Sequence, residues 1–291
     1  MRTKLIFFEG IPGSGKSTLA RQAARFLQKH SVNNSLYPEG CLQPANLDGY
    51  VLLPLALLPD LFARFPRQET KLRTHMSEKD GYTLIQRQKA FRENSAVFRY
   101  LQPYSVWDGG LNFELFAQLH RDSWAAFAAN LRQQEQTAIF DCAFLQDHIT
   151  ELLLIYEKSE ADILGYFRKL TKIIQDLHPF IFYLRQTDVD ETIRRAAAQR
   201  TREPGGGSWA ERVAGYIANS PYGKTHRLVG YEGMADFFKR RRELDLLVLD
   251  SLDIGHAVIG NDRYDWPEVQ ERVTGILRQV IVSTFAPINA L

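Results

Sequence analysis

Gly10-Ile11-Pro12-Gly13-Ser14-Gly15-Lys16-Ser17 satisfies every fixed position of G-x-x-x-x-G-K-[ST], the pattern of a phosphate-binding P-loop. Its flanks distinguish the motif from a glycine turn. Lys4-Leu5-Ile6-Phe7-Phe8 ahead of it is a short apolar run, the form of a buried strand. The stretch from Thr18 to Leu27 behind it carries apolar residues at helical spacing. Strand, glycine loop and helix together are the context in which such a loop binds phosphate.

Backbone chemistry supplies the expected role. Glycines permit a tight loop and close approach of the chain to a polyphosphate. Successive amides then turn inward as an anion nest, and the helix starting near Lys16 adds the positive end of its dipole. The expected nucleotide contacts are Gly10, Ile11, Pro12, Gly13, Ser14, Gly15, Lys16, Ser17 and Thr18. Lys16 is expected to reach the β- and γ-phosphates, and the Ser17 hydroxyl to hold Mg²⁺. ATP and Mg²⁺ are therefore the expected ligands, with another nucleoside triphosphate left open.

The rest of the chain narrows the class. The 291 residues carry a formal net charge of +2, which makes no case for a nucleic-acid or membrane partner. Two cysteines, Cys41 and Cys142, do not make a disulfide framework. The seven histidines show no metal-ligand spacing. With a strand beginning at Lys4, a secretory signal is not expected and a cytoplasmic protein is.

Further strands are expected at Asn34–Tyr37, Thr137–Phe140, Phe180–Leu184 and Leu246–Leu249, and helices over 82–101, 113–133, 160–176, 188–201, 209–219 and 231–242. Such alternation predicts an α/β fold with a parallel sheet covered on both faces, here a three-layer P-loop NTPase sheet. Ligands of such sheets sit at the carboxyl ends of the strands. The expectation is a single 1–291 domain with a helical acceptor-binding region over about 45–135 and a lid over about 190–210. Asp265-Trp266-Pro267-Glu268 has the form of a helix N-terminus.

Among P-loop proteins, hydrolases are disfavoured. No N-K-x-D guanine reader or L-S-G-G-Q-like segment is present, and Cys142 stands where many ATPases place a water-activating glutamate after the strand-ending aspartate. A kinase must instead neutralise the transferring phosphoryl group and exclude water. The arginine run Arg194-Arg195 and Arg200-Thr201-Arg202, followed by Gly205-Gly206-Gly207, has the character of a closing lid.

Strand, P-loop and helix, then Tyr183-Leu184-Arg185, then Arg200-Thr201-Arg202-Glu203, resemble the deoxynucleoside kinase and thymidylate kinase group over residues 1–255. The resemblance implies a catalytic set of Lys16, Glu39, Arg200 and Arg202, with Glu39 orienting or deprotonating an acceptor hydroxyl. It also implies Mg²⁺ at Asp141 beside Ser17, a base contact from Gln86 in Tyr82-Thr83-Leu84-Ile85-Gln86, and an adenine site near Asp250-Ser251-Leu252-Asp253. The chain departs from that pattern where Asp141-Cys142-Ala143 stands in place of the group's Glu-Arg-Ser, so the acceptor-gripping arginine is absent. Arg195 is also one residue off the usual spacing to Arg200.

The expected activity is transfer of the ATP γ-phosphoryl group to a small acceptor, most simply a nucleoside or nucleotide. The alternatives are a nucleotide-binding regulatory protein with little catalysis and a kinase of another metabolite. Expected partners are the nucleoside triphosphate and a small-molecule acceptor, with a homodimer left open.

Overall fold

The structure is a computed structural model describing residues 3–40, 43–200 and 208–281. The chain divides into two compact units, Met1–Glu39 with Trp124–Leu291, and Gly40–Ser123. The first unit opens with β1 (Leu5–Gly10), α1 (Lys16–Lys29) and β2 (Asn34–Tyr37). The second contains β3 (Val51–Pro54), α2 (Leu58–Arg64), α3 (Glu69–Thr74), β4 (Met76–Lys79), β5 (Tyr82–Ile85), α4 (Arg87–Ala90) and α5 (Ala96–Leu101). The boundary falls within α6 (Phe113–Arg132). The first unit then continues through β6 (Thr137–Asp141), α7 (Gln146–Leu154), α8 (Glu160–Ile174), β7 (Phe180–Arg185) and α9 (Val189–Gln199). It ends with α10 (Trp209–Asn219), α11 (Pro221–Thr225), α12 (Gly230–Ser251), β8 (Gly255–Gly260) and α13 (Trp266–Val280).

The first unit is an α/β fold on a five-stranded parallel sheet of order β2-β6-β1-β7-β8. Every residue of β1 is buried, as a central strand covered on both faces requires. Side chains alternate across a strand. Ile6 and Phe8 join Leu19, Ala23 and Leu27 of α1 and Val269, Val273 and Leu277 of α13 in one core. Phe7 faces the other way, 5.7 Å from Trp124 and 4.9 Å from Phe144 between ring centroids. The parallel register sets Phe8 opposite Asp141 and Gly10 opposite Leu184. The ends of β1, β6 and β7 therefore meet along one sheet edge. From β1 the chain runs out to β2, whereas β6 leads to β7 on the other side of β1, so β1 and β6 flank a topological switch point.

Three sequence expectations are corrected. Leu246–Leu249 is the last part of α12, not a strand. Leu244, Val248 and Leu249 are buried while Leu247 is 37% exposed, the helical period hidden in a continuous apolar run. The fifth strand of the sheet is β8, nearer the C-terminus. Residues 82–101 do not form one helix, because Tyr82–Ile85 is a strand followed by two short helices. Nor is the region 45–135 purely helical, since it holds a three-stranded antiparallel sheet of order β3-β5-β4. Its β4–β5 hairpin turns through Asp80-Gly81, with φ of 47° and 83°, the two-residue turn whose twist matches the flanking strands. Val51, Leu53, Leu61, Leu72, Ile85, Val97 and Leu101 form that unit's core.

The expected helices at 113–133, 160–176, 188–201 and 209–219 are present as α6, α8, α9 and α10 with ends within about two residues. Among the described residues no helix is long and apolar enough to cross a membrane.

Candidate active site

β1 delivers the glycine loop at the switch point, and α1 begins at Lys16. Within the loop, the Ser14 amide donates to the Ile11 carbonyl at 3.2 Å, and the Thr18 and Leu19 amides donate to Gly15 at 3.1 Å. Among the described residues, the amides of Gly13, Gly15, Lys16 and Ser17 donate to no protein acceptor. They are the orphan donors of a helix N-terminus and the turn before it. Gly15 precedes the helix with φ of 100°, and a Cβ there would lie 2.2 Å from Cη2 of Trp266. Only glycine tolerates both that backbone and that close approach.

Gly13, Gly15, Lys16, Ser17 and Thr18 line one side of a cavity of about 210 Å³. Glu39 lies on its wall, with Arg195, Gln199 and Arg200 from α9 and its end. Tyr264 and Trp266 complete it. The Arg195 guanidinium stacks 3.6 Å from the Tyr264 ring centroid, and Arg200 lies 5.0 Å from that of Trp209. Asn261 fastens the loop after β8 to the glycine loop, its Nδ2 donating to the Ser14 carbonyl at 2.9 Å.

Lys16 is buried, and its Nζ donates to the Ile11 carbonyl at 3.0 Å. Burial, the largest influence, works against its charge, but Cys142 (only once ionised) and the Glu39 and Asp141 carboxylates outweigh burial and the opposing Arg241, holding its pKa above the ordinary lysine value. Glu39 is exposed as a residue, yet its carboxylate is held among protein atoms. Its Oε1 accepts from Gln146 Nε2 at 3.1 Å and its Oε2 from Cys142 Sγ at 3.5 Å. Desolvation pushes this carboxyl up, but Lys16, then Arg200 and those two hydrogen bonds, bring it below the usual carboxylate range.

Asp141 ends β6 and is buried; its Oδ1 accepts from Cys142 Sγ at 3.4 Å. Burial pushes the Cys142 thiol well above its ordinary range; Lys16 opposes this, and Glu39, Asp141 and Glu9 add to it. The neutral thiol has one S–H, so it donates to one of these two carboxylates at a time while its sulfur stays in contact with the other.

Behind the glycine loop lies a second polar layer. The Glu9 carboxylate accepts from the amides of Phe144 at 2.8 Å and Gln146 at 3.0 Å, capping the start of α7 from below. Burial raises its pKa to about 7 against those amide bonds, and Asp245 adds to the rise. Arg241 of α12 donates to the Gly10 carbonyl at 2.7 Å and lies 3.5 Å from Asp245, itself accepting from the Tyr183 hydroxyl at 2.9 Å. Burial raises the Asp245 pKa, opposed by Arg241, the Tyr183 hydrogen bond and Lys16.

The residues chosen from sequence therefore fall into four groups, of which one, Gly10, Ile11, Pro12 and Ser14, does not line the cavity. Lys16, Ser17, Thr18, Glu39 and Arg200 line one cavity, and Asp141 lies against Glu39 through Cys142. Gln86 belongs to the second unit, where it caps α4 after a strand rather than lying on the expected helix. Arg202, and with it the 201–207 part of the expected lid, lies outside the described residues. The adenine position near Asp250–Asp253 is also corrected. Asp250 and Ser251 end α12, and the loop adjoining the glycine loop is the one after β8.

Sequence reading missed Gln199, Tyr264, Trp266 and Asn261. Locating β8 between Gly255 and Gly260 was the signal that could have found the last three, since they follow its carboxyl end. Arg241, inside the basic run Lys239-Arg240-Arg241-Arg242, is 1% exposed.

No protein-family model matches the chain, and no match is found among the curated proteins.

Proposed function

We propose that the Gly10–Thr18 loop binds the phosphates of a magnesium nucleoside triphosphate and that the protein transfers the γ-phosphoryl group to a small acceptor. On this reading the first unit is a P-loop NTPase core. The observation that carries it is the set of acceptor-free amides at Gly13, Gly15, Lys16 and Ser17, residues that all line one cavity. Amides and ammonium together suit a polyanion such as a polyphosphate.

The donor set around the loop fits magnesium on that substrate. Magnesium takes oxygen ligands, usually one or two protein groups beside phosphates and water. The Ser17 hydroxyl on the cavity wall and the Asp141 carboxylate would hold it, and the ion would supply charge neutralisation of the phosphates. Lys16 leaves its bond to Ile11 to meet the phosphates. Arg195 and Arg200 neutralise the transferring group from the facing wall. Glu39, kept ionised by Lys16 and Arg200, orients an acceptor hydroxyl and takes its proton. A nucleoside or nucleotide acceptor is favoured by the kinase resemblance alone.

A second reading, nucleotide binding with little turnover, is favoured by Cys142-Ala143 after Asp141, where the kinase group carries its acceptor-gripping arginine. Titration of magnesium nucleotides, followed by Trp266 fluorescence, tests the shared part. Lys16→Ala should remain folded and lose binding, or lose turnover by about 10²–10³-fold. A folded Lys16→Ala protein that binds and turns over like wild type would overturn both readings. Tight ATP binding without transfer to any of a broad acceptor panel would leave only the second.

A further inference from the structure

We propose that Glu39, Asp141 and Cys142 form a binding site for a thiophilic divalent cation of the zinc type. The Cys142 sulfur lies 3.4 Å from Asp141 Oδ1 and 3.5 Å from Glu39 Oε2. Tetrahedral zinc, with bonds of about 2.3 Å to sulfur and 2.0–2.2 Å to oxygen, sets such ligands about 3.6 Å apart. One ligand atom from each of the three residues lies within 4.8 Å of the others, so drawing the two carboxylates slightly together completes three corners.

A second observation is independent of that triangle. The Gln146 carboxamide adjoins it, Nε2 donating to Glu39 at 3.1 Å, and Oε1 of the same amide is buried without a donor in a residue 9% exposed. Charge agrees as well. With the thiol proton displaced by the metal, three negative groups meet a divalent ion and the Lys16 ammonium, with the Arg200 guanidinium also acting on Glu39.

The donor types select the metal. Thiolate favours zinc, cobalt and cadmium over magnesium and calcium. Glu39 stands on the cavity wall and provides the way in to the two buried ligands. This claim does not rest on nucleotide binding, although a metal held here would compete for the two carboxylates that phosphoryl transfer uses.

The test uses the full chain without nucleotide. Cobalt is titrated in and the thiolate-to-cobalt charge-transfer band is read in the near ultraviolet; zinc is then added to displace it. One equivalent of cobalt should bring up the band, and zinc should abolish it. The band should persist in Cys41→Ser, which leaves Cys142 as the only thiol, and vanish in Cys142→Ser. Glu39→Gln and Asp141→Asn retain that thiol and should weaken zinc binding about tenfold or more. They also keep the proposal falsifiable should Cys142→Ser not fold. Absence of the band in wild type, its persistence in folded Cys142→Ser, or unchanged zinc affinity in Glu39→Gln would overturn the site.

Discussion

A methyl group on Gly15 would meet the Trp266 ring at 2.2 Å while forcing an L-residue to φ of 100°. Two separable penalties follow. The clash belongs to the pair, and the backbone strain belongs to Gly15 alone, at about 1–2 kcal/mol. Gly15→Ala should therefore lower the melting temperature, and Trp266→Ala in the same chain should restore part of the loss. A thermal-denaturation cycle of the four proteins measures this, and strict additivity of the two substitutions would show that the ring does not crowd that position. Arg241 presents a different problem. Buried beside Asp245 and donating to the Gly10 carbonyl, it cannot be removed without stranding a carboxylate, a loss of about 3–5 kcal/mol. Urea denaturation of Arg241→Ala should show that destabilisation. Arg241→Met with Asp245→Leu should recover part of it, and a double variant as weak as the single would argue against the pair as its source.

At the level of elements, the β4–β5 hairpin is the cleanest case of local sequence deciding structure. Asp80 and Gly81 both take positive φ, and a Cβ on Gly81 would have no heavy atom within 4 Å. Gly81→Ala thus tests backbone strain without a clash. It should cost about 1 kcal/mol or somewhat more in equilibrium unfolding; no change would mean the turn relaxes to another type. The signal was in the chain: Asp-Gly between two alternating segments is a hairpin signature. It was overlooked because Tyr82–Leu101 also carries apolar residues at helical spacing. Helix α12 shows the opposite failure. Leu246-Leu247-Val248-Leu249 has the composition of a strand, yet it is the end of a 22-residue helix whose buried face carries Leu244, Asp245, Val248 and Leu249.

At the scale of the molecule, Glu9 couples β1 to the start of α7. Its carboxyl is raised from 4.5 to about 7 by burial, so between those values the folded chain keeps a proton that the unfolded chain has released. Stability then falls as pH rises through that window and levels off above it, by roughly 3 kcal/mol at about 1.4 kcal/mol per unit. Chemical denaturation from pH 4.5 to 8 should show this slope in wild type and a weaker one in Glu9→Gln. Equal slopes in the two proteins would place the effect elsewhere.

Local order determined the loop and its neighbours. The glycines, Lys16 and Ser17 are contiguous, and the strand before them and the helix after them announce themselves by period and composition. Glu39 and Asp141 were legible because Asp141 ends β6 and Glu39 follows β2 by two residues, at the sheet edge where parallel sheets gather their functional groups. What the tertiary structure alone decided is which distant residues face that loop. Cys142 touches both carboxylates because β2 and β6 are neighbours, though Glu39 and Cys142 are 103 residues apart. Tyr264 and Trp266 reach the cavity because β8 pairs with β7 at the sheet edge, and Arg241 reaches Gly10 across 231 residues. Periodicity reports the face a residue turns toward the core. Only the pairing of strands and the closure of long connections determine which other residue waits there.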